Sequence, residues 1–300
     1  MKANSHLTKS LLAAALLSLS LGAYAAPDWS KVSKRTIQVF HPGVTPIEWI
    51  VTKGSGHGGA NGFRNKGEPC IGCHEDAGEL NFDTEKLSTK PLEPVGAPTT
   101  KIFPVAVQAA YDAENIYFRL SFKAPGAGAA DAPREAKDPK HTMKVAMMLA
   151  GEKVPQATQA GCWATCHTDV RSMPGADMAK KKYVAGADLD SGAYTDYFQW
   201  KSGVGGAGAV SLDGHVATER VNKDGKALVK AEGEEKNGEW VVTFTRKLTG
   251  GAGDVPLAEG KSVPFGIAIH ADQVLYRFHH VSLGYMLGIG AEGDVKAMKF

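Results

Sequence analysis

Two short clusters hold the side chains best suited to chemistry. Cys70-Ile71-Gly72-Cys73-His74 and Cys162-Trp163-Ala164-Thr165-Cys166-His167 use all four cysteines of the chain, and each ends in Cys-His. Cys-x-x-Cys-His is the pattern that attaches a c-type haem. Its two thiols add across the two haem vinyl groups as thioethers, and the adjacent imidazole is held against the iron. The two-residue gap lets one turn of chain reach both vinyls and the metal, so Cys70, Cys73 and His74 read as one attachment site. A redox disulfide would want a βαβ context, which is missing. A cysteine-rich zinc site would need the second pair to join the first, yet each pair trails its own histidine.

The second cluster has one more residue between its cysteines. A bulge absorbs it if Cys162, Cys166 and His167 attach a haem. A Cys162–Cys166 disulfide with His167 on the surface fits the spacing equally well.

The elements that must position these clusters are mostly strands. Asn115–Lys123 alternates Ile116, Phe118, Leu120 and Phe122 with Tyr117, Arg119, Ser121 and Lys123, the period of two that marks a half-buried strand. Residues 103–111 behave similarly, and Asp112-Ala113-Glu114-Asn115 supplies a turn between the two. Further strands are expected over 36–40, 144–149, 227–231, 239–246, 262–270 and 275–283. Glycine- and alanine-rich loops fall at 124–131, 203–208 and 249–253. Helical periodicity is weak, and short helices are expected only around the two cysteine clusters. Many short alternating strands predict a mainly β protein, an immunoglobulin-like antiparallel β-sandwich with haem-bearing loop insertions. Gly260-Lys261-Ser262 imitates the end of a P-loop, but Val255 stands where the first glycine is required and a strand follows.

Residues 1–25 read as a secretory signal peptide. Lys2 and Lys9 precede the apolar run at 10–22, and Ala23-Tyr24-Ala25 gives the small-x-small cleavage pattern. The run is shorter than the roughly 20 residues of a bilayer span, so no membrane anchor is expected. Without the leader, Lys+Arg falls from 34 to 32 and equals the 32 Asp+Glu, which leaves no basic surface for nucleic acid. Residues 26–300 are expected to form a single haem-binding domain in the periplasm, with a c-type haem loop inserted at about 54–90.

Several stretches resemble the haem-binding domain of the ethylbenzene dehydrogenase-related family, also described as cytochrome c-552/DMSO reductase-like. They are Tyr111-Asp112-Ala113-Glu114-Asn115-Ile116-Tyr117-Phe118-Arg119, Lys144-Val145-Ala146-Met147-Met148, and Gly161 through His167. Trp240-Val241-Val242-Thr243-Phe244-Thr245-Arg246 and Val263-Pro264-Phe265-Gly266-Ile267-Ala268-Ile269-His270 complete the set. The resemblance implies a β-sandwich holding a haem between its sheets, often as the electron-transfer subunit of a molybdenum enzyme. Members with a b-type haem hold the iron with a methionine and a lysine. Here the lysine's place falls in Arg277-Phe278-His279-His280-Val281-Ser282-Leu283, which offers histidines. That departure resembles the c-type members and implies a second covalent haem c, with a non-covalent haem b as the remaining form of that site.

An iron that only shuttles electrons takes two axial ligands, because an open position admits small molecules. His74 and His167 would be proximal. For the first haem, His57 is the distal choice, since the glycines around it let the backbone approach a flat macrocycle; His41, before Pro42-Gly43, is the fallback. For the second, His279 shares a strand face with Val281 and Leu283, and a buried imidazole is costly unless it binds something. His280 is close behind. Met148 is the other contender, on the strand where the family keeps its methionine, although core filling is the commoner fate of methionine. His270 is read as a strand cap.

These readings converge on a periplasmic dihaem electron-transfer protein. Its partners would be a quinol-oxidising membrane cytochrome on one side and a terminal reductase or molybdoenzyme on the other. A haem reductase or peroxidase would need an open iron site beside an acid–base pair, and no such pair is evident. A haem-based redox or gas sensor would be supported by a fused signalling domain.

Overall fold

The structure is a computed structural model. It describes residues 26–43, 45, 47–51, 56–84, 98–125, 137–166, 186–203, 208–222, 229–275 and 279–300, without the side chains of 48, 49, 162 and 164–166. The expected leader, His167 and residues 276–278 lie outside them.

The chain is mainly β, as its alternation implies. β4 (Ile102–Tyr111) and β5 (Asn115–Lys123) pair antiparallel around the expected turn, where Asp112 Oδ1 accepts the N–H groups of Glu114 and Asn115 at 2.7 Å each. β11 (Glu239–Lys247) and β10 (Lys230–Lys236) extend this layer. The second layer runs through β12 (Lys261–His270), β6 (Lys144–Ala150), β7 (Thr195–Lys201), β8 (Val210–Val216) and β9 (Arg220–Asn222). β1 (Arg35–Phe40) and β13 (His280–Ser282) join the layers along one route, β14 (Tyr285–Ile289) and β15 (Val295–Lys299) along another. β15 lies parallel to both its neighbours, and every other pairing in this sheet is antiparallel.

The layers meet through their inward residues. Phe118 of β5 and Phe244 of β11 face Phe198 of β7, with ring centres 6.0 and 5.2 Å away. Arg246 and Asp196 are fully buried here, and the Arg246 guanidinium donates to Asp196 Oδ2 at 2.5 Å and to the Val255 carbonyl at 2.6 Å. Asp213 and Asp254 are buried close by. Burial raises the Asp196 carboxyl to about 7 and that of Asp213 to about 6, against the pull of Arg246. Removing the guanidinium takes the buried donor from Asp196 Oδ2 and the Val255 carbonyl and pushes the Asp196 carboxyl further up, so Arg246→Met is expected to cost about 3 kcal/mol. Urea denaturation at neutral pH measures it.

Both cysteine segments pack against the core: Ala160 and Trp163 belong to it, and Cys70, Ile71 and Phe82 lie against it. Along β6, Val145, Met147 and Leu149 enter the main core, while Ala146 and Met148 cluster with Tyr197 and Val216 on the opposite face. α3 (Ala157–Cys166) covers that second face. It lies close because Gly161 adopts φ +57 and a Cβ there would stand 2.8 Å from the Leu283 carbonyl oxygen.

Candidate functional site

The first cluster is one helical turn, α2 (Ile71–His74), preceded by Cys70. The Cys73 and His74 N–H groups both donate to the Cys70 carbonyl, at 3.2 and 2.9 Å. Positions 70, 73 and 74 therefore share one face of the turn. Cys73 is exposed, Cys70 is half-buried, and neither is in a disulfide. As a free thiol, Cys70 would be pushed up to about 12 by burial. That suppresses the thiolate a dithiol redox centre needs.

His74 is held from the sheet side. Its neighbour Glu75 opens β2 (Glu75–Asp76), which pairs with β3 (Glu79–Leu80) around Ala77 and Gly78, both at positive φ as a tight hairpin requires. Glu75 accepts from the Arg35 guanidinium, and the Tyr285 hydroxyl donates to its other oxygen at 2.5 Å. Gln38 Nε2 donates to Glu79 at 3.1 Å. The hairpin is thus bolted to β1 and β14 on both sides of its turn.

His57 faces His74 with ring centres 5.8 Å apart and planes within 22°. Two metal–imidazole bonds of about 2 Å each, plus the ring radii, put the ring centres of a bis-histidine pair about 6 Å apart. The pair matches that separation, and burial followed by the neighbouring His74 holds the His57 imidazole below its usual range, favouring the neutral ligand form. Two thiols on the turn that carries His74, with the His57 ring opposite it, fit a covalently held haem.

His41 takes another place. It is fully buried, its Nδ1 lies 3.1 Å from the His279 carbonyl, and its ring tilts against His280 at 5.9 Å. His280 is the more deeply buried of the two adjacent histidines, with Nε2 2.7 Å from the Thr100 carbonyl and its ring edge-on to Phe103. The structure therefore buries both faces that sequence alternation contrasts. His279 stacks on His270 at 4.5 Å, giving the expected strand cap a partner.

Burial lowers His41 to about 3 and His280 to about 4, from an ordinary 6.5. Both fold neutral, so below pH 6.5 the unfolded chain takes up protons that the folded chain refuses. Each histidine is expected to take about 1.4 kcal/mol of stability per unit as pH falls from 6.5 towards 4, while the raised carboxyls of Asp196 and Asp213 act in the opposite sense over the same window. Stability from urea denaturation across that window should change by about 1.4 kcal/mol per pH unit between wild type and His280→Gln, with the variant losing less, or gaining more, as pH falls.

α3 is broken at the non-helical Gly161 (φ 57, ψ −141), and Cys162 and Cys166 stand about one turn apart on the helical piece that follows it. Gly161, the residue before Cys162, lines a small cavity together with Met148, Ala157, Thr195 and Gly266. Of the distal candidates, Met148 is the one placed in this cavity; His279 packs on His270. Sequence reasoning missed Gln159, whose carbonyl accepts the Cys70 N–H at 3.0 Å and whose amide donates to the Phe63 carbonyl at 2.7 Å. It also missed Phe82 and Phe40, which lie between the two segments.

A mainly β sandwich carrying two cysteine segments against its core is the class of protein defined by these elements. The chain belongs to the ethylbenzene dehydrogenase family, which it matches over residues 26–236. It is similar to cytochrome c-552 of Stutzerimonas stutzeri, 48% identical over 281 residues that cover 92% of each chain. It is also similar to cytochrome c-551 of Rhodocyclus tenuis, 44% identical over 275 residues, 91% of this chain and 100% of that protein. No helix among the described residues is long and apolar enough to cross a membrane.

Proposed function

We propose that this protein is a dihaem c-type cytochrome that carries electrons between periplasmic redox partners and performs no substrate chemistry of its own. The observation that carries this reading is the His57–His74 pair, whose rings stand 5.8 Å apart beside the Cys70–Cys73 turn. The two relatives described above are both named cytochromes c, which supports the same reading. Cys70 and Cys73 would hold the first haem and His74 and His57 its iron. Cys162, Cys166 and His167 would hold the second haem, with Met148 as the sixth ligand in place of His279, because Met148 shares a cavity with the start of that segment. A bound haem supplies a one-electron couple at its iron. The chain's residues would supply both ligands of each iron, with burial favouring the neutral form of His57, and would exclude small molecules from the metal. Residues 26–300 would form one domain exported by the leader at 1–25. Partners would be a quinol-oxidising membrane cytochrome and a terminal reductase or molybdoenzyme.

Intact mass and carbon monoxide test the reading together. The protein purified from a periplasmic extract is expected to exceed the mass of 26–300 by two haem groups, and its ferrous spectrum to ignore carbon monoxide at neutral pH. A single haem with a Cys162–Cys166 disulfide would remove the second site. A rapid spectral change with carbon monoxide would point to an enzyme or sensor.

A further inference from the structure

Four rings run in contact from one cysteine segment to the other. His74 meets Phe82 at 5.5 Å between ring centres and 89° between planes, and Phe82 meets Phe40 at 5.0 Å and 85°. Phe40 meets Trp163 at 5.1 Å and 79°, and Trp163 directly follows Cys162. Each contact is edge-to-face, the arrangement that aromatic quadrupoles favour. The far end is fixed, because the Trp163 indole N–H donates to the Thr45 carbonyl at 3.0 Å and the side chain is buried. The Cys70 N–H bond to Gln159 ties the same two segments through the backbone. Phe40 would fill the core whatever lay beside it. Phe82 is different: it is only half-buried, follows the hairpin at 75–80, and touches His74 on one side and Phe40 on the other.

We propose that Phe82, Phe40 and Trp163 form the bridge through which the two haem sites exchange an electron, and that Phe82 also sets the plane of the His74 imidazole. The inference rests on the dihaem reading. The exchange moves one electron: one site is oxidised by one unit as the other is reduced, with no bond made or broken and no proton transferred. A contiguous, rigid file of close-packed atoms favours it, since a void in a folded interior has no partner atoms across which to couple. A residue packed against an axial ligand also orients it, as outer-shell groups do at metal sites generally.

The test uses the full mature protein as wild type, Phe82→Leu and Phe82→Tyr. Intact mass is read first, and a wild type with fewer than two haems overturns the dihaem reading and the bridge with it. With two haems present in every variant, inter-haem equilibration is followed after flash reduction of one site. Midpoint potentials are titrated in the same samples to separate a change in driving force. Phe82→Leu is expected to slow equilibration several-fold and to shift the low-field g value of one ferric signal, while Phe82→Tyr restores both. An unchanged rate in Phe82→Leu, or a slower one fully accounted for by altered potentials, overturns the bridge whatever the ferric spectrum does.

Discussion

Replacing His57 by Ala is expected to turn one of the two haems from low spin to high spin and to open that iron to carbon monoxide. The imidazole pair 5.8 Å apart is the reason: on the proposed ligation, an iron held by His74 would lose its second donor with His57. The glycines at 56, 58 and 59 give no substitute side chain, and both Gly56 and Gly58 have open space where a Cβ would stand. His41→Ala is the matched control. Its ring is buried against His280 and bonded to the His279 carbonyl, so that change should reduce stability and leave the visible spectrum intact. If His41→Ala produced the high-spin species and His57→Ala did not, the pairing of His57 with His74 would be wrong.

Met148→Ala is expected to do the same to the other haem, while His279→Ala leaves both low-spin. Histidine–methionine ligation raises a reduction potential relative to bis-histidine ligation. The two haems should therefore titrate as separate waves, with the upper wave belonging to Met148, and Met148→His should lower that wave towards the other. A high-spin signal from His279→Ala, with Met148→Ala silent, would return the assignment to the histidine. Because the His57 and Met148 sites lie on separate segments, the double variant should show two additive high-spin signals.

The first site is legible in the sequence because its geometry is local. Residues 70, 73 and 74 need only one helical turn to come together, and their spacing is the one that covalent haem attachment would require. β5 is legible for a similar reason, since one of its faces is buried and the residue types alternate. β7 is not: Thr195, Asp196, Tyr197, Phe198, Gln199 and Trp200 are all buried, so both faces are enclosed and the alternation disappears. β14 and β15 are five residues each, too short to show a period. The histidines at 279 and 280 show a further limit. Alternation separates their faces, but the sheet is covered on both sides there, so burial does not choose between them. Phe82, Phe40 and Gln159 carried no local signal, because each matters through a contact made far along the chain.

The strand order also bears on how such a protein is assembled. β1 precedes both cysteine segments in the chain, yet one of its edges is completed by β13, which follows both, with Val39 opposite Ser282 and Phe40 opposite Val281. Phe40, on which the α3 tryptophan rests, therefore has no finished strand beneath it until the chain around position 280 is available. Pairings so distant in sequence form late. During export, Cys70, Cys73, Cys162 and Cys166 would all emerge while the sheet that later shelters them is open. A thioether-forming apparatus would thus meet four accessible thiols on a loose chain, and closure of β1 against β13 would lock the finished product. A variant that weakens this seam should prolong that accessible interval, and would be seen as greater protease sensitivity of the newly exported chain at unchanged haem content.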